Sequence, residues 1–600
     1  MTFQLIMNEI KLYALFCLSA LAGFPNMIPA QQLEWNKGQT FTEASMKTKG
    51  SEETWKGTSP GLHSSFVSID KRYSKDQAPV IIKNNTISLK GWKGERLSAQ
   101  VLLWTTDPVL DIKVQVSDFT SKSGKKIGSI GYARFERYII TDEFGPGCGW
   151  RKPEDFSSSL SPDMLDDLSS FSIEKKEVRP VWITISIPKN AEKGAYNAKV
   201  LITSPTTKQQ ELNISLDVID MLLPEPAKWT FHLDQWQHPS AVARVNKVSV
   251  WSDEHFRALK PQMQMLANLG QKVITTTLNK DPWHVQTFDP YEDMIIWTKE
   301  KDGSWSYDYT VFDKWVSFMM DLGIKKMINC YSIVPWNNEI HYKDATTGKF
   351  VDIVAKPGTD EFTKIWEPFL KDFVKHQKKK GWLKITNIAL DERDKNEMGA
   401  AFALIKKVAP ELGVSYADNQ QTFKRYPDSR DVSTAVQHPL SPQDLKDRNS
   451  RGLNTTFYVY CGNNFPNQFT FSDPAESTYM GWYAMAAGYN GALRWAFNSW
   501  VENPLVDSRF RTWPAGDTYI AYPQARSSIR YERLLEGIQD YEKISIVKKL
   551  LQEKKETEKL KALDNAISKL NNDKRHDGWN QDLNIAKELL NNISESLLTK

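Results

Sequence analysis

Between residues 230 and 498, eight short apolar segments alternate with segments of helical periodicity, and this alternation limits the fold more than any other feature. Strands that are buried on both faces are short and almost continuously apolar. The predicted strands are Thr230–Trp236, Lys272–Leu278, Lys326–Ile333, Lys384–Asp391, Val414–Asn419, Val432–Gln437, Thr455–Cys461 and Gly491–Asn498. Strands and helices in this order predict a (β/α)8 TIM barrel over residues 228–540.

The segments between these strands repeat their apolar residues every three or four positions, as amphipathic helices do. The sets are Phe256, Leu259, Met263 and Leu266; Phe312, Trp315, Met319 and Leu322; and Phe362, Ile365, Trp366, Phe369, Leu370 and Phe373. Pro261 should kink the first helix, and Thr310 is the predicted N-cap of the second. The link from Asn419 to Val432 is too short for a full helix, so an open α/β sheet is the alternative fold.

The chain on either side of the predicted barrel has a different pattern. Residues 33–225 are rich in short β-branched segments separated by turns, which predicts an N-terminal β-sandwich. Its predicted strands are Ile81–Ile87, Leu97–Leu103, Ile112–Val116, Val181–Ile187, Ala198–Ser204 and Glu211–Val218. A short hinge, Pro224-Glu225-Pro226, follows the sandwich. Residues 541–600 are charged and helical in period, which predicts C-terminal helices packed on the barrel, with a membrane or partner helix as the alternative.

The first thirty residues resemble an export signal. Lys11 precedes the apolar run Leu12–Phe24, which is too short to span a bilayer, and a small residue, Ala30, closes the segment. Residues 1–30 are therefore predicted to be a signal peptide, and the mature protein is predicted to be periplasmic or secreted without a membrane span. A retained N-terminal anchor is the alternative.

Cysteine content and charge exclude several classes of site and partner. Three cysteines remain after cleavage, Cys148, Cys330 and Cys461, so at least one thiol is unpaired. None lies in a Cys/His cluster, and we therefore expect neither a structural metal nor a cofactor. The net charge of +4 gives no support for nucleic-acid binding. The sequence does not indicate an oligomeric state.

The fourth predicted strand ends in two adjacent acids, Asp391 and Glu392. The active site of a (β/α)8 barrel lies at the carboxyl ends of its strands, and adjacent buried carboxylates repel each other, so a chemical role is favoured. Glycoside hydrolysis uses two acids, which ordinarily come from two strands. Adjacent acids instead suit hydrolysis in which the 2-acetamido oxygen of the sugar attacks the anomeric carbon. The alternative is that Asp391 caps the helix predicted at Lys395–Val408.

Aromatic residues with polar neighbours lie at five of the eight predicted strand ends. Aromatic rings with a few well-placed polar groups are typical of a ligand pocket, and sugar rings stack on aromatic faces. The predicted substrate-binding residues are Asp234, Trp236, Trp283, His284, Tyr331, Tyr458, Tyr460, Trp495, Asn498 and Trp500. The sequence therefore predicts a glycan or glycoconjugate substrate.

At these residues the chain resembles glycoside hydrolase family 123, the β-N-acetylgalactosaminidases. The motifs are Leu233-Asp-Gln-Trp-Gln-His-Pro-Ser-Ala-Val-Ala-Arg244, Asp281-Pro-Trp283, Trp305-Ser-Tyr-Asp-Tyr309, Leu390-Asp-Glu-Arg393, Arg494-Trp-Ala-Phe-Asn-Ser-Trp500, Ser528-Ile-Arg-Tyr-Glu-Arg533 and Gly537-Ile-Gln-Asp-Tyr541. The resemblance spans the chain from about Gly91 to Tyr541, and the last two motifs are the most specific.

The resemblance implies a β-sandwich, a (β/α)8 barrel and a retaining, substrate-assisted hydrolase that removes terminal β-linked N-acetylgalactosamine. Asp391 would orient the acetamido group, and Glu392 would act first as the acid and then as the base for water. Two alternatives stay open. One is a β-hexosaminidase or another exo-glycosidase on the same barrel, and the other is a non-catalytic carbohydrate-binding protein.

Overall fold

The structure is a computed structural model that describes residues 42–143, 148–149, 152–155 and 157–598. The predicted signal peptide, residues 1–30, lies outside the described residues. Among the helices of the described ranges, none combines the length and apolarity needed to cross a membrane.

The N-terminal part is a β-rich domain of two sheets packed face to face. After a short helix α1 (Ser51–Thr54), its strands are β1 (Leu62–Val67), β2 (Thr86–Lys93), β3 (Arg96–Thr105), β4 (Val109–Val116), β5 (Phe119–Ser121), β6 (Lys126–Gly128), β7 (Gly131–Thr141), β8 (Ser159–Asp166), β9 (Phe171–Ile173), β10 (Glu177–Ser186), β11 (Gly194–Ser204) and β12 (Thr207–Leu222). One sheet has the order β1-β3-β10-β7-β8, and the other is built on β2-β12-β11-β4-β9.

The core of this domain consists of inward-facing residues from both sheets. Val101 and Val181 from the first sheet and Val200 and Ile214 from the second are almost completely buried in one cluster. Since successive strand residues point to opposite faces, alternate residues of β11 and β12 enter this core.

The predicted strand at Ile81–Ile87 is wrong over most of its length. Residues 81–85 form no strand: only the carbonyl oxygens of Asn84 and Asn85 accept from strand residues, and β2 begins at Thr86. Val80 and Ile82 are fully exposed. Because strand propensity depends on packing against neighbours, exposed β-branched residues alone misled the prediction.

The central part is a barrel of eight parallel strands. These are β13 (His232–Gln235), β14 (Val273–Thr277), β17 (Met327–Tyr331), β20 (Thr386–Asp391), β21 (Gly413–Asp418), β22 (Asp431–Ala435), β23 (Asn454–Tyr458) and β24 (Gly491–Arg494). Each falls within one of the predicted segments or overlaps it. They pair in the order β13-β24-β23-β22-β21-β20-β17-β14. The ends of this order meet where Lys272 N donates to Leu233 O over 3.0 Å. This near-closed barrel confirms the predicted fold class over the open-sheet alternative.

Helices connect most of the barrel strands. They are α2 (Pro239–Asn246), α3 (Asp253–Asn268), α4 (Thr310–Asp321), α5 (Asp360–Lys380), α6 (Lys395–Val408), α7 (Pro442–Ser450) and α8 (Pro474–Ala487). The short link before β22 contains only a single 3-10 turn, Thr422–Lys424. Helix α3 continues through Pro261. Thr310 is not the N-cap of α4, because it is already the first helical residue, and Asp308 accepts from its backbone N–H instead.

A four-stranded sheet, which the sequence did not predict, branches from the barrel. It comprises β15 (Ile296–Lys299) and β16 (Trp305–Asp308), which lie between β14 and β17 in sequence, and β18 (Glu339–Asp344) and β19 (Phe350–Val354), which follow β17. The order is β16-β15-β18-β19. We call it the insert sheet, and its connections reach the carboxyl end of the barrel.

The C-terminal helices are α9 (Ile529–Glu553), α10 (Thr557–Ser568) and α11 (Trp579–Ser596). Helix α9 passes through residue 540, where the sequence analysis placed a boundary. It also anchors the sandwich, because buried Glu532 accepts from Arg96 and Arg134 at 2.8 and 2.9 Å. Arg530 forms a second buried pair with Asp163 of β8 at 2.9 Å.

Helices α8 and α9 cross at two glycines, Gly481 and Gly537. A Cβ on Gly481 would lie 2.0 Å from the carbonyl oxygen of Gly537, so the two backbones touch.

Gly481→Ala is therefore expected to lower the free energy of unfolding by about 3 kcal/mol, because neither backbone can yield. Gly399→Ala in α6 is the matched control: its nearest neighbour would be 3.7 Å away, and helix propensity should raise stability by up to about 1 kcal/mol. Urea denaturation measures the free energy of unfolding of both variants. Equal changes in Gly481→Ala and Gly399→Ala would contradict a close backbone contact at Gly481.

Candidate active site

Asp391 and Glu392 lie at the carboxyl end of β20, as the sequence predicts. Glu392 has a φ of 43°, in the left-handed region that non-glycine residues seldom adopt. Such backbone strain concentrates at functional sites. Asp391 does not cap helix α6: Asp394 does so, accepting from the backbone of Asn396 and Glu397. The two acids are therefore free of a capping role.

Two tryptophans hold the Asp391 carboxylate. The indole Nε1 of Trp283 donates to Oδ2 over 3.0 Å, and the Nε1 of Trp336 donates to the same oxygen over 3.2 Å. Burial raises the pKa of Asp391 to about 7, with a further contribution from the neighbouring Glu392 charge. The donors fix the carboxyl group in one orientation.

The Glu392 carboxyl faces the opposite wall of the same site. Its Oε1 accepts a hydrogen bond from the hydroxyl of Tyr458 at the end of β23. Burial raises the pKa of Glu392, the Tyr458 hydrogen bond opposes this shift, and Asp418 adds to it. Because two close carboxyls resist simultaneous ionisation, we conclude that the pair retains a proton to higher pH than an isolated acid would.

An aromatic wall surrounds these carboxyls. Trp236, Trp283 and Tyr331 lie within 4.6–4.9 Å of one another, measured between ring centroids. Tyr458 belongs to the same buried cluster, and the partly exposed Tyr460 and Trp495 pack against it. Six predicted residues from five strands are thus brought together around Asp391 and Glu392. The partly exposed Tyr460 and Trp495 offer apolar faces for a sugar ring, next to the indole N–H and hydroxyl groups that bind the two carboxyls.

Two other predicted residues, Asn498 and Trp500, do not belong to the aromatic cluster around Asp391 and Glu392. The side-chain amide of Asn498 binds the backbone of His238. Its Oδ1 accepts from His238 N, and its Nδ2 donates to His238 O, each over 3.0 Å. Trp500 is buried and donates to Ala521 O over 2.7 Å. Their polar groups therefore serve loop structure.

Asp234 lies inside the barrel, and His284 lies at its rim. Asp234 is 1% exposed, and burial together with the nearby Asp431 raises its pKa well above the usual range. His284 is exposed beside Asn337, with 3.2 Å between its Nδ1 and the amide nitrogen.

Sequence reasoning left several site residues out of its candidates. Trp336 donates to Asp391, Tyr291 packs on Trp283 at 4.7 Å, and Gln437 accepts from the Tyr460 hydroxyl over 2.7 Å. Asp517 accepts from the Trp495 indole over 3.0 Å. Gln437 ends a predicted strand, so strand-end polarity could have identified it. Tyr291 and Asp517 lie in connecting segments that carry no periodic signal.

The cysteines follow the predicted odd count. Cys148 and Cys461 form a disulfide, and Cys330 is a buried free thiol. The bridge ties residue 148 to the segment just after β23, three residues beyond Tyr458. Within the described ranges, no group of three or more His, Cys, Asp or Glu residues is placed to hold a metal ion.

Comparison with known families agrees with this geometry. The model of the glycoside hydrolase 123 catalytic domain matches residues 236–547, and the model of the glycoside hydrolase 123 N-terminal domain matches residues 66–204. A family 123 glycoside hydrolase from Clostridium perfringens, studied for glycolipid glycan hydrolysis, superposes with a TM-score of 0.80 at 29% identity. The match covers 89% of this chain and 97% of that chain.

Other comparisons add nothing to this assignment. A GH5 xyloglucanase from Bacteroides ovatus matches at 9% identity over 76% of this chain and 98% of that chain, but its TM-score is only 0.29. No curated protein matches the sequence.

Proposed function

The chain belongs to glycoside hydrolase family 123, and we propose that it removes terminal β-linked N-acetylgalactosamine from glycans by retaining, substrate-assisted catalysis. One observation carries the proposal: two consecutive acids, Asp391 and Glu392, face a single aromatic site, each held by its own donors. Two acids from one strand end leave the 2-acetamido oxygen as the nucleophile.

In the first step, the acetamido carbonyl oxygen attacks the anomeric carbon and the bond to the leaving oxygen breaks. Glu392 gives its proton to that oxygen. Asp391, fixed by Trp283 and Trp336, accepts the acetamide N–H and stabilises the positive charge that develops on the resulting oxazolinium ring.

In the second step, water attacks the anomeric carbon from the face that the leaving group vacated. Glu392, now a carboxylate, takes the proton from the water, and the ring opens to restore the acetamide. Two inversions give net retention. Tyr458 donates to Glu392 in the free site, and we propose that its hydroxyl donates to the acetamido oxygen during attack.

The aromatic wall positions the sugar ring for this reaction. Trp236, Trp283 and Tyr331 are almost fully buried, so their rings are rigid before the sugar arrives. Positioning the reacting atoms in advance removes entropy that would otherwise add to the barrier. The choice of N-acetylgalactosamine rests on family membership.

A panel of aryl β-glycosides tests the proposal. We expect hydrolysis of the N-acetylgalactosaminide, and slower or no hydrolysis of the N-acetylglucosaminide. Cleavage of a galactoside without cleavage of either 2-acetamido sugar would refute substrate assistance. Binding of the glycan without turnover would indicate a carbohydrate-binding protein instead. Glycolipid glycans belong in a second panel, because the Clostridium perfringens relative is described as hydrolysing them.

The raised pKa values predict a shifted pH profile. The pair must hold one proton for Glu392 to act as an acid, so kcat/KM should be lost as pH rises through the higher pKa of the pair. Burial raises both values, that of Asp391 to about 7, so this loss should occur well above pH 4, where exposed carboxyls titrate. Initial rates on a β-linked N-acetylgalactosaminyl disaccharide, whose leaving oxygen needs the Glu392 proton, measure it from pH 4 to 9. Activity already lost by pH 5 would contradict the assignment.

We further propose that the protein is exported. The predicted signal peptide motivates this proposal, and the Cys148–Cys461 disulfide supports it, because such bonds persist in oxidising compartments. Cell fractionation with antibody detection tests it, and recovery of the protein in the cytoplasm alone would contradict it.

A further inference from the structure

The two indoles that hold Asp391 differ in how they are themselves held. Trp283 is 2% exposed, and three aromatic rings pack on it at centroid distances of 4.7–4.9 Å. Trp336 is 37% exposed and lies on the loop that follows β17. Because exposed side chains change rotamer readily, burial alone does not fix the Trp336 indole, and another contact must hold it against Asp391.

Arg393 provides that contact. It follows the two acids directly in sequence, and its side chain is only 8% exposed. Its guanidinium carbon lies 5.0 Å from the centre of the Trp336 ring, and Nη1 donates to the Trp336 carbonyl oxygen over 3.5 Å. A guanidinium over the face of an indole is attracted by the ring, and more strongly where water is excluded. Arg393 therefore contacts both the ring and the backbone of Trp336.

Arg393 is in turn anchored to the helix that follows the acids. Its Nη2 donates to Glu397 Oε1 over 2.7 Å, and Glu397 lies in the first turn of α6. Only three residues separate the end of β20 at Asp391 from the start of α6 at Lys395. The Arg393–Glu397 pair therefore ties the loop that carries Trp336 to the strand that carries Asp391.

The charge of Arg393 also suits the proposed state of Asp391. Burial raises the pKa of Asp391 and the Glu392 charge adds to this rise, whereas the hydrogen bonds from Trp336 and Trp283 and the Arg393 charge oppose it. The proposed reaction uses Asp391 as a carboxylate, because that form accepts the acetamide N–H and stabilises positive charge. Arg393 favours this form directly and through the Trp336 donor.

We propose that Arg393 is a positioning residue: anchored by Glu397, it holds the Trp336 indole against Asp391 and so keeps the carboxylate in the orientation that receives the acetamide N–H. The inference rests on the proposed function, because it assigns Arg393 a part in orienting the acetamido group. Trp283 still donates to Asp391 when Trp336 is released, so loss of Arg393 should weaken catalysis without abolishing it.

A double-mutant cycle tests the proposal in the full-length protein. Arg393→Ala should lower kcat about tenfold, and equally on an N-acetylgalactosaminyl disaccharide and on an activated aryl N-acetylgalactosaminide, because the Glu392 proton is unaffected. Trp336→Phe keeps a ring but loses the indole donor, and in that background Arg393→Ala should cost less than twofold more. Rates are compared at the pH optimum of each variant. Fully additive losses would show that Arg393 does not act through Trp336 and would overturn the proposal.

The pH profile and a conservative variant separate positioning from a purely structural role. The reaction needs ionised Asp391, so kcat/KM falls as pH drops through the lower pKa of the acid pair. Loss of the Arg393 charge raises the pKa of Asp391, so Arg393→Ala should move this low-pH limb up by about one pH unit, and Arg393→Lys should restore it. Glu397→Gln, which removes only the anchor, should lower kcat about threefold.

The control for these variants is Arg257→Ala. Arg257 is an exposed residue of α3 paired with Glu254, and its replacement should leave kcat and the pH profile unchanged. If Arg393→Ala lowered the melting temperature but kept both kcat and the pH profile, Arg393 would have a structural role alone and the proposal would be wrong.

A fluorescence measurement does not depend on the proposed function. Acrylamide quenching of tryptophan emission is compared between the unchanged protein and Arg393→Ala, and then between Trp336→Phe with and without Arg393→Ala. Release of the Trp336 indole should increase quenching in the first pair and leave the second pair alike. The same difference in both pairs, or none in the first, overturns the positioning role. The expected quenching in a protein that cleaves no 2-acetamido sugar overturns only the proposed function.

Discussion

Glu392→Gln is expected to lower kcat for a β-linked N-acetylgalactosaminyl disaccharide by about 10²–10⁴-fold, the usual effect of losing a positioned general acid. Glutamine keeps the shape and can still accept from Tyr458, so the site should remain intact. What disappears is the proton for the leaving oxygen. Steady-state kinetics on purified protein, with the unfolding temperature measured in parallel, give the comparison.

The leaving group distinguishes this role from a structural one. An aryl glycoside with an acidic phenol needs little protonation, so Glu392→Gln should lose much less activity in the first step on that substrate than on the disaccharide. Glu411→Gln, an exposed residue paired with Lys378, is the matched control and should behave as the unchanged enzyme. Equal losses on both substrates, or an active Glu392→Gln on the disaccharide, would remove Glu392 from the acid role.

The barrel was predictable because its strands carry a local signal. Each is a short apolar run buried on both faces, which a sequence reveals directly, and position after the fourth run then selected Asp391 and Glu392. The insert sheet lacked that signal. In β19, exposed and partly buried residues alternate along an edge, with Phe350 and Val354 facing solvent. Such a strand depends on its neighbours more than on its own composition.

The site was only partly predictable because its donors come from loops. Trp336 lies five residues beyond β17, and only the folded loop brings its indole to Asp391. The motifs most specific to the family lie elsewhere. Arg530 and Glu532 bind the sandwich, and Gly537 permits the crossing of α8 and α9. Those residues are therefore explained by packing of the domains, whereas the short Asp-Glu motif provides the proposed chemistry.

Asp391→Asn is expected to lower kcat on 2-acetamido substrates by about 10²–10³-fold, the range seen when one preorganised electrostatic contact is removed. The Trp283 and Trp336 indoles would bind the amide oxygen in place of Oδ2, which turns the amide NH₂ toward the substrate. That group cannot accept the acetamide N–H, and it carries no charge to stabilise the oxazolinium ring. Unlike Glu392→Gln, this variant should lose as much activity on an activated aryl glycoside as on the disaccharide.

Two further measurements make the role of Asp391 specific. A thiazoline analogue of the cyclised sugar should bind Asp391→Asn at least tenfold more weakly, whereas Asp394→Asn, which keeps the cap of α6, should bind it normally. Whereas thiazoline binding should weaken in Asp391→Asn, the thermal stability of this variant should increase. Because burial raises the folded-state pKa of Asp391, ionisation of this carboxyl costs stability as pH rises through that value, so the variant should melt at a higher temperature than the unchanged protein at pH 8. Normal thiazoline binding, or a lower melting temperature at pH 8, would show that Asp391 supports the fold rather than the acetamido group.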